Sequence, residues 1–167
     1  MESTYTGLAQ SAVDWALSKV GCAYSQARRT QENIFDCSSL VARAYSAQGK
    51  RWKYGGSVPT SNKEIYDDDF ELLWPATYAQ IGKSLGGSSV INMAKQPGDL
   101  QFLCTDSGTS RLSKITHVTM VASDTQIVHA RGTKYGVRTN SISLYSGKVC
   151  GVVRYNPACA LLQITGP

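Results

Sequence analysis

Phe35-Asp36-Cys37-Ser38-Ser39-Leu40-Val41 is the stretch from which the rest of the chain can be read. Leu40, Val41, Ala44, Tyr45 and Gln48 recur at a helical period, and Gly49 supplies a stop. Asp36, Ser38 and Ser39 bring the capping chemistry of a helix start. Cys37 then falls in the first turn, where unpaired N–H groups and the positive end of the helix dipole favour an anion. Its thiol pKa is expected to fall from a free value of about 8.5, and the same N–H groups suit an oxyanion. Most cysteines are small apolar residues packed under helices. Cys22, Cys104, Cys150 and Cys159 fit that description, because none has capping residues beside it, which leaves Cys37 as the candidate nucleophile.

The chain has two histidines, both downstream on strand-like segments: His117 in Ile115–Ser123 and His129 in Gln126–Arg131. Asp124-Thr125 reads as a turn, so the two lie on arms of one hairpin. Parity then makes a demand. If Ser123 pairs with Gln126, the rings face opposite sides of the sheet; one extra loop residue or a bulge puts them on the same side. A thiol attacking an amide needs a base that later protonates the leaving amine, and a second group that holds this base in the right tautomer. Cys37, His117 and His129 suffice for that set.

Outward from these residues, a first helix is predicted from about Thr6 to Val20, with Leu8, Ala12, Ala16, Leu17 and Val20 on one side and Gly21 as its stop. Ser61-Asn62-Lys63-Glu64 reads as a capping box opening a third, short helix, and Gly86-Gly87 marks a loop before Val90-Ile91. Strands follow at Asp99–Cys104, Ile115–Ser123, Gln126–Arg131, Tyr135–Thr139 and Val149–Tyr155. Helices first and strands second predicts an α+β fold with an antiparallel sheet of about five strands. Residues 1–155 form the catalytic domain in this reading and 156–167 a tail or linker stub.

A chain of 167 residues, 42% hydrophobic and 17% charged, is one ordinary globular domain with no apolar run long enough for a membrane span. The start Met1-Glu2-Ser3-Thr4-Tyr5 lacks the basic and apolar parts of a signal peptide. The five cysteines contain no Cys-x-x-Cys and their spacings suggest no zinc site; no cofactor is expected, and disulfides among Cys22, Cys104, Cys150 and Cys159 are left open. The net charge of +5 is uneven: residues 100–167 hold seven Lys/Arg against two Asp/Glu, while residues 1–99 balance at ten each. A basic face suits an anionic polymer such as a bacterial wall, and no nucleic-acid motif accompanies it.

Asp-Cys-Ser-Ser-Leu-Val at a helix start, Pro97-Gly98-Asp99-Leu100, His117-Val118 in a strand and a second histidine twelve residues on resemble the NlpC/P60 family of peptidoglycan peptidases over residues 8–155. The resemblance implies a papain-like fold with Cys37 as nucleophile, His117 as base and His129 as third member. It also implies that Tyr24, in Gly21-Cys22-Ala23-Tyr24, lines the cleft near the oxyanion, and that Asp36 and Ser38 contact the N-terminal end of a stem peptide. Two departures stand out. Ser25-Gln26-Ala27-Arg28-Arg29 replaces the family's aromatic and Gly-Gly pair, and the stretch between the nucleophile helix and Gly98, with Asp67-Asp68-Asp69 and Trp74-Pro75, is longer than the family minimum. That stretch reads equally as a lid, a substrate wall or a solvated excursion.

The function so implied is a cell-wall hydrolase, a cysteine endopeptidase cutting stem peptides between D-Glu and the diamino acid, diaminopimelate or Lys. Its partner is peptidoglycan, and the chain is expected to act as a monomer at the bacterial wall, reached by export or by phage release, as a lysin catalytic domain would be. An N-acetylmuramoyl-L-alanine amidase with the same Cys-His chemistry and a catalytically silent wall-binding module are the alternatives.

Overall fold

The computed structural model of the chain describes residues 2–52, 65, 69–77, 80–83, 85–104 and 115–157. Among the described residues the elements follow in the order α1 Glu2–Leu17, β1 Ala23–Tyr24, β2 Ile34–Phe35, α2 Cys37–Ser46, β3 Phe70–Trp74, α3 Ser88–Ile91, β4 Leu100–Leu103, β5 His117–Val121, β6 Gln126–Ala130, β7 Val137–Ser141 and β8 Val149–Tyr155. A 3-10 turn, Ile142–Tyr145, joins β7 to β8. The main sheet runs β3-β8-β4-β5-β6-β7 with every neighbouring pair antiparallel, and β1 and β2 form a separate two-stranded parallel ladder. The α+β class is as predicted; the sheet has one strand more than the five expected.

That extra strand is Phe70–Trp74. Its Phe-Glu-Leu-Leu-Trp lacks a clean alternation of apolar and polar residues, because β3 is an edge strand whose register against β8 shifts between Leu72 and Trp74. Part of the long stretch after α2 is therefore sheet. Trp52 stacks on Phe70 with centroids 6.0 Å apart, and the ammonium of Lys50 meets Asp69 at 2.8 Å. The capping box at Ser61, together with Asp67, Asp68 and Cys159, lies outside the described residues.

Helix α1 buries Ala9, Ala12, Val13 and Ala16, whereas Leu17 and Val20 are exposed. The predicted face was therefore turned by about one position, and the helix ends earlier, at Leu17. Alanines pack closest: a Cβ on Gly98, whose φ is +95°, would lie 2.6 Å from the Ala9 methyl and 2.8 Å from the Tyr45 hydroxyl. Tyr45 itself is fully buried and donates to the Gly98 carbonyl at 2.7 Å, tying α2 to the turn that leads into β4. Its ring meets Phe70 edge-on at 5.4 Å.

Two further ties hold the frame around the site. The Gly21 N–H donates to the Val137 carbonyl at 2.9 Å and the Val137 N–H to the Cys22 carbonyl at 3.0 Å, fastening the segment before Tyr24 along β7. Asp99, 1% exposed, receives Arg154 in a two-point contact, Nε at 2.9 Å and Nη2 at 2.8 Å, and also the Gln96 N–H at 2.8 Å. Among the described residues no helix is long and apolar enough to cross a membrane.

Replacing Arg154 by Leu leaves the Asp99 carboxylate buried without its cation. We expect urea denaturation to show a loss of about 2 kcal/mol, below the usual cost of breaking a buried pair because the Arg154 side chain is itself 27% exposed. A loss under about 0.5 kcal/mol would show that the pair does not hold β8 to the turn before β4.

Candidate active site

Helix α2 begins where its sequence says it must. Asp36 is the N-cap, in extended conformation; its Oδ1 accepts the Ser39 N–H at 2.8 Å, and Ser39 Oγ accepts the Asp36 N–H at 2.9 Å, a reciprocal capping box. Cys37 is the first helical residue and is half-buried. The backbone N–H groups of Val118, Ser38 and Cys37 itself are directed at its sulfur. The thiol therefore lies against the start of β5, one residue from His117.

The histidine hairpin settles the parity question. Val121 pairs with Ile127 and Met120 with Val128, so Ala122 falls opposite Gln126 and the loop holds three residues, Ser123-Asp124-Thr125. The extra residue brings both rings to one face, and His117 Nε2 lies 2.9 Å from His129 Nδ1. His129 is fully buried, out of a substrate's reach, whereas His117 is partly exposed.

His129 has a further partner that the sequence reading missed. Its Nε2 lies 2.8 Å from Asn140 Oδ1, on β7. An amide oxygen only accepts, so His129 Nε2 carries the hydrogen and Nδ1 is left as the acceptor for His117 Nε2–H. The other nitrogen of His117, Nδ1, is then the unprotonated one. Asn140 thus sets the tautomers of both rings. Its signal was weak, one polar residue within Arg138-Thr139-Asn140-Ser141, where nothing local singles it out.

Tyr145 was missed for the same reason. It sits in the 3-10 turn, edge-on to both rings, with centroids 5.6 Å from His117 and 5.8 Å from His129, and its hydroxyl hydrogen-bonds to Arg131. Tyr24, expected to line the cleft, lies close enough to Cys37 and Asp36 to feel the charge of either, and its hydroxyl bonds to Gln26. Burial first, then those two neighbours, raises its pKa, so the phenol stays a donor.

Asp36 and Ser38 flank the thiol, 6% and 7% exposed, and both are held by Arg29. Arg29 Nε donates to Asp36 Oδ2 at 2.8 Å and Nη2 to Ser38 Oγ at 2.9 Å. Behind it, Arg43 Nη1 donates to the carbonyls of Arg29 at 3.0 Å and Ile34 at 2.8 Å.

The electrostatics run against the expectation drawn from the helix dipole. Burial, and next the Asp36 carboxylate, push the Cys37 thiol up to about 11, more than its three N–H contacts lower it. Burial, the second histidine and Arg131 push His117 down to about 3. Burial also lowers His129, against the Asn140 hydrogen bond that raises it. Both shifts favour the uncharged form, of the thiol and of the imidazole alike.

Cys22 and Cys37 are free thiols, and the Cys104 and Cys150 sulfurs lie 2.9 Å apart in the buried core. Among the described residues no three His, Cys, Asp or Glu side chains gather as a metal site. A cavity of about 530 Å³ lies between residues 91–95, the β5–β6 turn and residues 141–143, at the opposite end of β5 from His117.

The NlpC/P60 family model matches residues 21–154. Among solved structures, NlpC2 from Trichomonas vaginalis is 22% identical with a TM-score of 0.63, over 89% of this chain and 46% of that one. The peptidoglycan hydrolase RipB from Mycobacterium tuberculosis is 20% identical with a TM-score of 0.61, over 93% and 68%. The NlpC/p60 domain of the peptidoglycan hydrolase SagA is 18% identical with a TM-score of 0.55, over 87% and 97%. This chain thus spans under half the length of the first of these. No curated protein matches it.

A neutral pair has a kinetic signature. With the thiol near 11 the thiolate fraction grows about tenfold per pH unit below that value, so iodoacetamide labelling of Cys37, read by peptide mass mapping, is expected to keep accelerating from pH 7 to pH 10. A plateau already reached below pH 7 would mean a thiolate–imidazolium pair in the resting enzyme.

Proposed function

The chain belongs to the NlpC/P60 family, and on that footing we propose that it is a cell-wall hydrolase, a cysteine peptidase that cuts peptidoglycan stem peptides between D-Glu and the diamino acid. The observation that carries this reading is the relay of His117, His129 and Asn140, with ring and amide contacts of 2.9 and 2.8 Å, beside a helix-start thiol that faces the N–H of Val118, the residue after His117. Cys37 is the nucleophile. As its sulfur meets the scissile carbonyl, the proton passes to the bare Nδ1 of His117, and the imidazolium so formed returns it to the leaving amine. A low His117 pKa makes that imidazolium a strong acid at the step where an amine must leave. The N–H groups of Cys37 and Ser38, with the Tyr24 phenol, line the place where the oxyanion develops, and Asp36 and Ser38 form the adjoining cleft wall.

His129 and Asn140 act through His117. The likeness to the peptidoglycan hydrolases RipB and SagA supports the substrate class, and the excess of basic residues after position 99 suits an anionic wall.

Purified sacculi digested with the protein should yield L-Ala-D-Glu ends on the glycan side and free amines on the diamino acid, read by mass spectrometry. Intact stems beginning at L-Ala would instead establish an amidase, and no soluble product would establish a binding module. Cys37→Ala should abolish release with an unchanged circular dichroism spectrum. His117→Ala is expected to cost roughly a hundred- to ten-thousand-fold in kcat/KM, and His129→Gln and Asn140→Ala distinctly less. Equal losses at all three positions would sink the division of labour.

A further inference from the structure

The two acceptors that flank the nucleophile are already taken. Asp36 Oδ1 receives the Ser39 N–H at 2.8 Å and the Ser38 hydroxyl at 3.4 Å, while Oδ2 receives Arg29 Nε at 2.8 Å. Ser38 Oγ receives Arg29 Nη2 at 2.9 Å. All of this is nearly buried, Asp36 and Ser38 at under a tenth exposed and the Arg29 side chain at 18%. An ammonium arriving from a substrate would have to evict a guanidinium held at two points, and would meet a carboxylate whose charge is spent. Nor is Arg29 free to swing away at the backbone, because Arg43 holds its carbonyl at 3.0 Å while stacking 4.2 Å above the Phe35 ring.

We infer that Arg29 is a specificity-determining residue: it removes the ammonium-binding capacity of the cleft wall beside Cys37, so the enzyme does not select for a free amino terminus on the L-Ala side of its substrate. This inference rests on the function proposed above and narrows it. In a bacterial wall the amine of L-Ala is amide-linked to the glycan and carries no charge; only detached peptides expose it as an ammonium. The substrate class is therefore the glycan-attached stem, and the detached peptide has no advantage over it. A neutral amide fits beside a wall whose carboxylate is internally paired, and a cation gains nothing there.

The test compares two synthetic peptides, L-Ala-γ-D-Glu-diaminopimelate and its N-acetyl form, by kcat/KM, with products identified by mass spectrometry. The wild-type enzyme is expected to cut both within about threefold of each other. Arg29→Ala uncovers the carboxylate and should shift the ratio toward the free amine by on the order of tenfold, the usual worth of a hydrogen bond to a charged group, whereas Arg29→Lys, which keeps the cation, should stay near the wild-type ratio. A ratio cancels any general loss of folded enzyme. Should Arg29→Ala fail to fold by circular dichroism, the wild-type ratio alone decides. A wild-type preference of tenfold or more for the free amine overturns the inference while leaving the proposed peptidase intact. Equal cutting of both peptides at the L-Ala–D-Glu bond overturns the proposed bond but supports the role of Arg29. Cutting of neither overturns the proposed function, and the inference falls with it.

Discussion

One negative charge organises the surroundings of the thiol. The Asp36 carboxylate caps α2 through the Ser39 N–H, fixes Arg29, and stands next in the chain to Cys37. A helix start attracts an anion because its first N–H groups are unpaired. Here the cap supplies that anion from within the chain, so the attraction is largely satisfied before a thiolate could draw on it. The same residue that makes the helix begin at Cys37 is thus the second cause of the raised thiol pKa, after burial.

Much of this was open to inspection in the amino-acid order and some was not, for identifiable reasons. The start of α2 was legible because capping is local: Asp36, Ser39 and the apolar period of Leu40, Val41, Ala44 and Tyr45 lie within ten residues. The side on which each histidine points was not, because it turns on whether the loop holds two residues or three, and Ser123-Asp124-Thr125 permits both. Strand β3 escaped notice since an edge strand with a register shift lacks the alternation by which strands are found. The direction of the Cys37 shift was misjudged because the dipole is a feature of sequence position, while the depth of the cleft is a product of tertiary packing.

The relay behind the thiol draws on three separate strands. His117 belongs to β5, His129 to β6 and Asn140 to β7, so each contact depends on the register between neighbours rather than on any single loop. Asn140 is neutral, so it orients the rings without adding a charge, and burial first, with Arg131 and Arg138 after it, keeps His129 depressed. A carboxylate at position 140 would pull the proton balance of both rings toward the charged form. An amide there exerts no such pull.

The backbone pairing of Gly21 and Cys22 with Val137 fixes the segment that leads to Tyr24. It also has a bearing on the company the molecule keeps. Strand β7 ends one side of the sheet, and an open strand edge is a template on which another chain can add itself. Two of the polar groups on that border are occupied by the chain's own segment, while the opposite border, β3, is kinked by its register shift and followed at once by Pro75. Among the described residues, neither margin of the sheet offers a long, straight, vacant row of N–H and C=O groups, which leaves crowded copies of the protein little there on which to zip together.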